Sequence, residues 1–383
     1  MCADDVKQRA RKIFENAASL ENSGPGEAEG SKELEALFIY NSNGIDKNFF
    51  YLTGLSGGVF ENCGVVAERE GRIILITTAL EEELSRGAAA YDDIVIYRDE
   101  DERERSLKQL LCSYRKVGVA YDRIPHSLFC RLRELSERTE WQDVSSAFRR
   151  VRMVKSPREI EKIRCACRTA EKVAALIPSM LEVGMMEIDL GAEIDYQIKR
   201  QGGNASAFNT IVAFGENTSK PHYGGGRVRL ESGKHVLVDF GAEYEGYHSD
   251  ITRIYFTGRP QAGLIELYGT VNDAKELALS LIKAGVSAHP VEEQVKELIE
   301  SHDCYRGKFI HSLGHSLGLD VHDDSYPIKS HDGRFCENMV LTVEPGVYLP
   351  GLYGIRLEDD IVVEKKGCAL LTSPVKEPET YEI

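Results

Sequence analysis

Basic residues are in short supply in this chain. Across 383 residues, 47 Lys and Arg face 62 Asp and Glu, giving a formal net charge of −15. No positive surplus is left to neutralise phosphates, which argues against nucleic acid or an anionic membrane as a partner. Long apolar runs are missing as well. None approaches the ~20 residues that span a bilayer. The N-terminal stretch MCADDVKQRARKIFENAAS is polar and has no signal-peptide apolar core, so a cytoplasmic protein is expected. The nine cysteines are scattered, with only Cys165 and Cys167 close together in a helical pattern. They offer no zinc-ribbon spacing and read as reduced, mostly buried thiols. The single tryptophan, Trp141, reads as a core residue.

What is present is an ordinary globular composition, 42% hydrophobic and 28% charged, in a chain long enough to expect two domains. The first half alternates helices and strands and reads as a small α/β domain over 1–150. Asp4 to Ser19 is amphipathic, and Ser23-Gly24-Pro25-Gly26 breaks the pattern. Strand candidates are Ala36 to Tyr40, a hairpin of Gly64 to Ala67 with Ile73 to Ile76, Asp93 to Tyr97, and Val117 to Tyr121. Glu102 to Cys112 and Ser127 to Glu137 read as helices. A second domain, 151–383, begins near Ser156-Pro157-Arg158-Glu159, a capping box with Pro at the first helical position. Ile160, Ile163, Cys167, Ala170, Ala174 and Ile177 follow as one apolar helical stripe, limited by Pro178. Further helices are expected over Glu187 to Arg200, Leu264 to Ala284 and Val291 to Ser301, with a strand over Ala207 to Phe214. His222 lies in the loop Pro221-His222-Tyr223-Gly224-Gly225-Gly226, as a gate or substrate contact or as an ordinary solvated histidine.

Three polar clusters stand out in this second domain. In HVLVDFGAEYEGYHSDITR, the strand Val236-Leu237-Val238 leads to Asp239, and the return strand begins after Asp250. With the turn centred on Tyr244-Glu245, Asp239 faces Asp250. Directly opposed residues lie ~4.5–5.5 Å apart at Cβ. Two carboxylates ~4 Å apart repel by ~4 kcal/mol at an effective dielectric of ~20. A shared proton, a basic side chain or a metal cation would each offset this; in the bland alternative one Asp turns to solvent. The second cluster holds His311, His315 and His322. Its H-x-x-x-H spacing is zincin-like, but Ser312 stands where that motif needs Glu, and Gly314 and Gly318 weaken a helix. Loop and strand are expected instead, with His315 as ligand candidate and His311 and His322 flanking it, against satisfied structural histidines as the alternative. In the third cluster, a turn centred on Gly351 sets Glu344 opposite Glu358. One cation site explains both like-charged pairs. Four carboxylates call for two divalent cations, since a single ion leaves a costly residual charge. Four carboxylates and one imidazole suit Mn or Fe, with Co or Zn next.

From Val151 onward the chain resembles the M24 metallopeptidases of the pita-bread fold, and among them the Xaa-Pro peptidases, aminopeptidase P and prolidase. The resemblance rests on VDFGAEYEGYHSDITR, HSLGHSLGLDVHD, LTVEPGVY and GIRLEDD, in the family's order. The first half resembles a creatinase-type N-terminal domain, mainly through Tyr51-Leu52-Thr53-Gly54 and the strand order. The resemblance implies an α/β (α+β) chain with a creatinase-like domain before a pita-bread catalytic domain. It implies five ligands of a dinuclear centre, Asp239, Asp250, His315, Glu344 and Glu358, with Asp250 and Glu358 bridging. It also implies substrate-facing roles for His222, His311 and His322, a supporting role for Arg356, an active-site role for Tyr348, and a Thr252 hydrogen bond to Asp250. The implied reaction is hydrolysis of an Xaa-Pro bond in a peptide substrate, with two divalent ions (Mn first, then Co, Fe or Zn), by a homodimer. Aminopeptidase P is the leading reading and prolidase the alternative. A methionine aminopeptidase, typically lacking the N-terminal domain, and a non-catalytic peptide-binding homologue are further readings.

Overall fold

The computed structural model describes residues 3–21, 33–42, 46–55, 58–87, 90–323, 333–373 and 380–381. The break expected at Ser23 to Gly26 lies outside the described residues. Two compact units divide the chain, Met1–Arg152 and Met153–Ile383. No helix among the described residues is long and apolar enough to cross a membrane, and no disulfide links the described cysteines.

The first unit is built on a six-stranded mixed sheet. Its strands run, edge to edge, Asp93–Tyr97, Ile73–Thr78, Cys63–Glu68, Ala36–Asn41, Lys116–Val119 and Glu140–Asp143. The central hairpin is antiparallel, because Gly71 at φ +96 closes a short turn. The outer pairs are parallel and reached through helical crossovers, as parallel strands require. The edge strand Glu140–Asp143 was not expected from sequence, since its residues EWQD have no apolar alternation. Trp141 sits in that edge strand, half-buried against Phe129 at 5.6 Å between rings and packed on the margin of the first unit's core.

In the second unit, Ser156 and Glu159 form the expected capping box, and the helix runs Pro157–Met180, tolerating Pro178 in its last turn. The helix Glu187–Arg200 follows. Their apolar stripes (Ala170, Val173, Ile177, Leu190, Ile194, Ile198) pack on Val236, Val238 and Phe240. Strand alternation then puts Leu237 and Asp239 on the opposite face of His235–Phe240. Leu237, with Ile254 and Phe256, joins the core under the helices Ala262–Leu281 and Ala288–Glu300. Burying each such side chain contributes ~1.5–3 kcal/mol, so the face assignment is strongly enforced. The strand expected over Ala207 to Phe214 is shorter, Ile211–Phe214.

The hairpin around Glu245 differs from expectation by one residue at its centre. Glu245 (φ 47) and Gly246 (φ 81) both adopt positive φ and form the two-residue turn, pairing Tyr244 with Tyr247. Asp239 therefore pairs with Thr252, and Asp250 is a diagonal neighbour. A centre shift of one moves the partner by two, so Asp250 stays on the predicted face. The second register is as expected: Gly346 pairs with Arg356 and Val343 with Asp359, which brackets Glu344 and Glu358 between two ladders. Asp250, Glu344 and Glu358 thus occupy breaks in strand pairing, while Asp239 is paired within its ladder.

At the first break, a Cβ on Gly241 would fall 1.8 Å from the Ser249 carbonyl oxygen. Gly241→Ala should therefore destabilise the protein by ~1–3 kcal/mol, read as a lower urea midpoint. A midpoint equal to wild type would contradict the close packing at this break.

Candidate metal centre and peptide cleft

One cavity of about 610 Å³ is lined by Asp239, Asp250, His315, Glu344 and Glu358, together with His222, His311, His322 and Arg356. Phe208, Ile211 and Val321 give it an apolar wall. Ligand atoms of Asp250, His315 and Glu358 lie within 4.8 Å of one another. Ligands of a shared ion at ~2.1 Å each lie up to ~4.2 Å apart, so this triad needs only a small contraction to hold a cation. His315 Nε2 is 3.4 Å from Asp250 Oδ2 and 3.7 Å from Glu344 Oε1.

The donor chemistry fits a divalent cation. His315 Nδ1 meets the Ser316 carbonyl at 3.3 Å, which places the proton on Nδ1 and leaves the Nε2 lone pair facing the carboxylates. Oδ1 of Asp239 and Oδ1 of Asp250 are buried and have no hydrogen-bond partner. Burial, then the neighbouring carboxylates, pushes Asp250 and Glu358 well above the usual carboxylate range. Burial likewise raises Glu344 and lowers His315. Without a cation these acids favour protonation; a cation reverses that preference.

A basic side chain offsets part of the repulsion. The buried Arg356 donates through Nη2 to Asp239 Oδ2, through Nε to Thr252 Oγ1 at 3.0 Å, and through Nη1 to Tyr348 Oη at 2.8 Å. Tyr348 is 2.9 Å from His311 Nε2, and His311 Nδ1 is 2.9 Å from the Ser312 carbonyl. Arg356 thus donates to Tyr348, Tyr348 to His311, and His311 to the backbone. Burial raises Tyr348 to about 12, so it remains a donor at neutral pH. His322 stacks on His315 with ring centroids 4.1 Å apart. Burial, and then His315, lowers His322 to about 4, so its ring is neutral at pH 7. His311, His315 and His322 occupy irregular backbone, as the glycines indicated, and Tyr348 lies on the strand Gly346–Leu349. His222 is exposed at the cavity edge.

Two positions differ from expectation. Thr252 donates to Glu358 Oε2 at 2.7 Å, not to Asp250, because it stands opposite Asp239 in the shifted register. Asp250 is held through its backbone instead: its N–H donates to Asp360 Oδ2 at 3.0 Å, and the Cys167 thiol donates to the same oxygen at 3.3 Å. Asp359 and Asp360, beside Glu358, read in the sequence as supporting or turn residues, but the Arg253, Lys275 and Thr372 partners of Asp359 are not evident there. Asp359 accepts from Arg253 at 2.8 Å, from Thr372 at 3.0 Å and from the fully buried Lys275. Arg253 also donates to the Glu358 carbonyl. Burial pushes Asp359 up, but Arg253 and Lys275 outweigh it and hold the carboxyl below its ordinary range. The available signal was Lys275 itself, a lysine one turn from Val271 on the apolar stripe of its helix.

The sequence family described as metallopeptidase family M24 matches residues 161–365, and the creatinase/prolidase N-terminal domain matches residues 28–154. The chain is 30% identical to an Xaa-Pro dipeptidase of Pyrococcus furiosus over 356 residues, covering 90% of this chain and 99% of that protein. It superposes on an X-Pro aminopeptidase of Thermotoga maritima with a TM-score of 0.83 and 30% identity, covering 91% of this chain and 97% of that one. An Xaa-Pro dipeptidase of Bacillus anthracis gives 0.84 and 28%, covering 99% and 100%.

The raised carboxylates give a pH signature. An acid whose folded pKa lies above its unfolded value stabilises the fold at low pH and loses that contribution as pH rises toward the folded pKa. The lowered histidines act in the opposite sense, but only below about pH 6.5, their unfolded value. Burial lifts Asp360 to about 8, and Asp250 and Glu358 shift in the same direction. Metal-stripped protein should therefore lose thermal stability between pH 6.5 and 8, and divalent cation should restore more at pH 8 than at pH 6.5. A thermal midpoint that is flat in pH, with no response to cation, would contradict this electrostatic account.

Proposed function

The chain belongs to metallopeptidase family M24, and on that premise we propose that it hydrolyses Xaa-Pro peptide bonds, releasing the N-terminal residue as an aminopeptidase P. The observation that carries this reading is the convergence of Asp250, His315 and Glu358, with Asp239 and Glu344, on one cavity. These five residues are the ligands we assign to two divalent ions. Such ions supply Lewis acidity toward a carbonyl and make a bound water nucleophilic near neutral pH. Arg356 refines the charge count. Four carboxylates and one guanidinium carry three negative charges, so two divalent cations leave one positive charge, which a single anion balances.

The protein side chains then divide the work. Glu344, raised by burial, accepts the proton of the attacking water and delivers it to the proline nitrogen, which has no proton of its own in the peptide. Neutral His322 donates a hydrogen bond toward the oxygen on which charge develops. Arg356 and Tyr348 hold Asp239 and His311 in orientation, and His222 closes on the substrate from the cavity edge. A cavity of about 610 Å³ has room beyond the proline, which supports longer peptides. A second reading, a prolidase restricted to dipeptides, is supported by the dipeptidase relatives. Manganese, then cobalt, iron or zinc, is the metal this ligand set favours. A cytoplasmic homodimer completes the reading.

Restoring Mn or Co to metal-stripped protein should bring back release of Gly from Gly-Pro-Ala. Cleavage of Gly-Pro alone would select the prolidase, and of Met-Ala-Ser alone a methionine aminopeptidase. No cleavage with any metal would favour a non-catalytic peptide binder. Glu344→Gln should lower kcat by at least ~10²-fold while the fold persists. Full activity in that variant would refute the proton-transfer role.

A further inference from the structure

The loop that carries His222 is clamped, and the clamp converges on one buried carboxylate. Glu187 opens the helix Glu187–Arg200 and is fully buried. A carboxylate there is tolerable only if it is fully hydrogen-bonded. Oε1 accepts from the Phe214 N–H and from Asn217 Nδ2, both at 2.9 Å, and Oε2 accepts from the Tyr223 hydroxyl at 2.8 Å. Asn217 donates its second proton to the Tyr223 oxygen at 2.9 Å. Lys220 donates to Asn217 Oδ1 at 2.8 Å and sits 5.1 Å from the Tyr223 ring centroid.

The far end of the loop is tied to the same helix. The carbonyls of Gly226 and Val228 accept from the N–H groups of Ile188 and Glu187, each at 3.1 Å. A Cβ on Gly226 would lie 2.4 Å from Tyr223 Oη, so the backbone passes directly over the Tyr223–Glu187 hydrogen bond. A Cβ on Gly224 or Gly225 would meet nothing within 4 Å, so this part of the loop borders open space. On the other side of His222, the Pro221 carbonyl accepts from Arg356 Nη1 at 3.4 Å. The two neighbours of His222 are therefore fixed, one to the arginine of the candidate metal centre and one to Glu187.

We propose that Tyr223 and Glu187 are positioning residues for His222, and that they set substrate affinity by holding the histidine at the cavity edge before the peptide arrives. Neither residue lines the cavity. The inference rests on the reading of this site as an Xaa-Pro peptidase. A glycine-rich loop loses much conformational freedom when ordered, so a loop already anchored gives up less on binding. Burial and the Glu187 bond raise Tyr223 to about 12, which keeps it a donor at assay pH.

The test is a double-variant cycle on the metal-loaded enzyme with Gly-Pro-Ala. Tyr223→Phe should raise KM about fivefold, the worth of one hydrogen bond, with kcat within about twofold and with wild-type metal content. In a His222→Ala background the same change should raise KM no further, because its effect runs through His222. An unchanged KM, effects that multiply in the double variant, or a fall in metal content would each overturn the proposal. Hydrogen exchange gives a readout independent of catalysis. The amides of Glu187 and Ile188, which donate to the loop carbonyls of Val228 and Gly226, should exchange faster in Tyr223→Phe than in wild type, and equal rates would overturn the clamp. Slow exchange in a wild-type enzyme that cleaves no Xaa-Pro peptide would instead count against the functional reading alone.

Discussion

Mutual repulsion among buried carboxylates is the constraint around which the second unit is arranged. Asp239, Asp250, Glu344 and Glu358 share one cavity. Each close pair costs several kcal/mol at protein-like dielectric, comparable to the whole stability of a domain once a few such pairs are summed. One guanidinium, that of Arg356, reaches Asp239 directly. The remaining acids have burial and each other as the causes that raise them, which is the electrostatic form of a site made for cations.

The fold supplies that charge pattern by interrupting its own strand pairing. Asp250 lies where one hairpin passes from one sheet to another, and Glu344 with Glu358 lie where two ladders meet end to end. At such breaks the backbone gives up ladder bonds, and side chains make up the deficit. Asp360 takes the Asp250 N–H, and Arg253 takes the Glu358 carbonyl. Asp359, held by Arg253 and Lys275, locks the strand Asp359–Val363 that follows Glu358. A buried ion network of this kind adds little net stability but fixes geometry, because removing either partner leaves an uncompensated charge.

Much of this was legible in the chain. The capping box at Ser156, the apolar stripes of the helices, and the alternation in Val236 to Phe240 follow from local periodicity and appear in the structure at nearly the expected bounds. The register around Gly351 was legible because a glycine, here at φ +74, marks the turn. The hairpin at Glu245 departs by one residue from the register its sequence suggests, because a glutamate at positive φ carries no sequence signal. The two-residue periodicity protected the conclusion that mattered, since Asp250 kept its face.

By itself the sequence determined which residue types face which side, the number of carboxylates and histidines available, and the order of the motifs. Those are properties of local pattern and chemistry. Tertiary structure alone decided the partners: Arg356 on Asp239, Thr252 on Glu358, Asp360 behind Asp250, and Tyr223 on a Glu187 that lies 36 residues earlier. Such pairings depend on how separate elements pack. Periodicity within a segment specifies its buried face, but it does not specify which polar atom of a distant segment will be within ~3 Å of it.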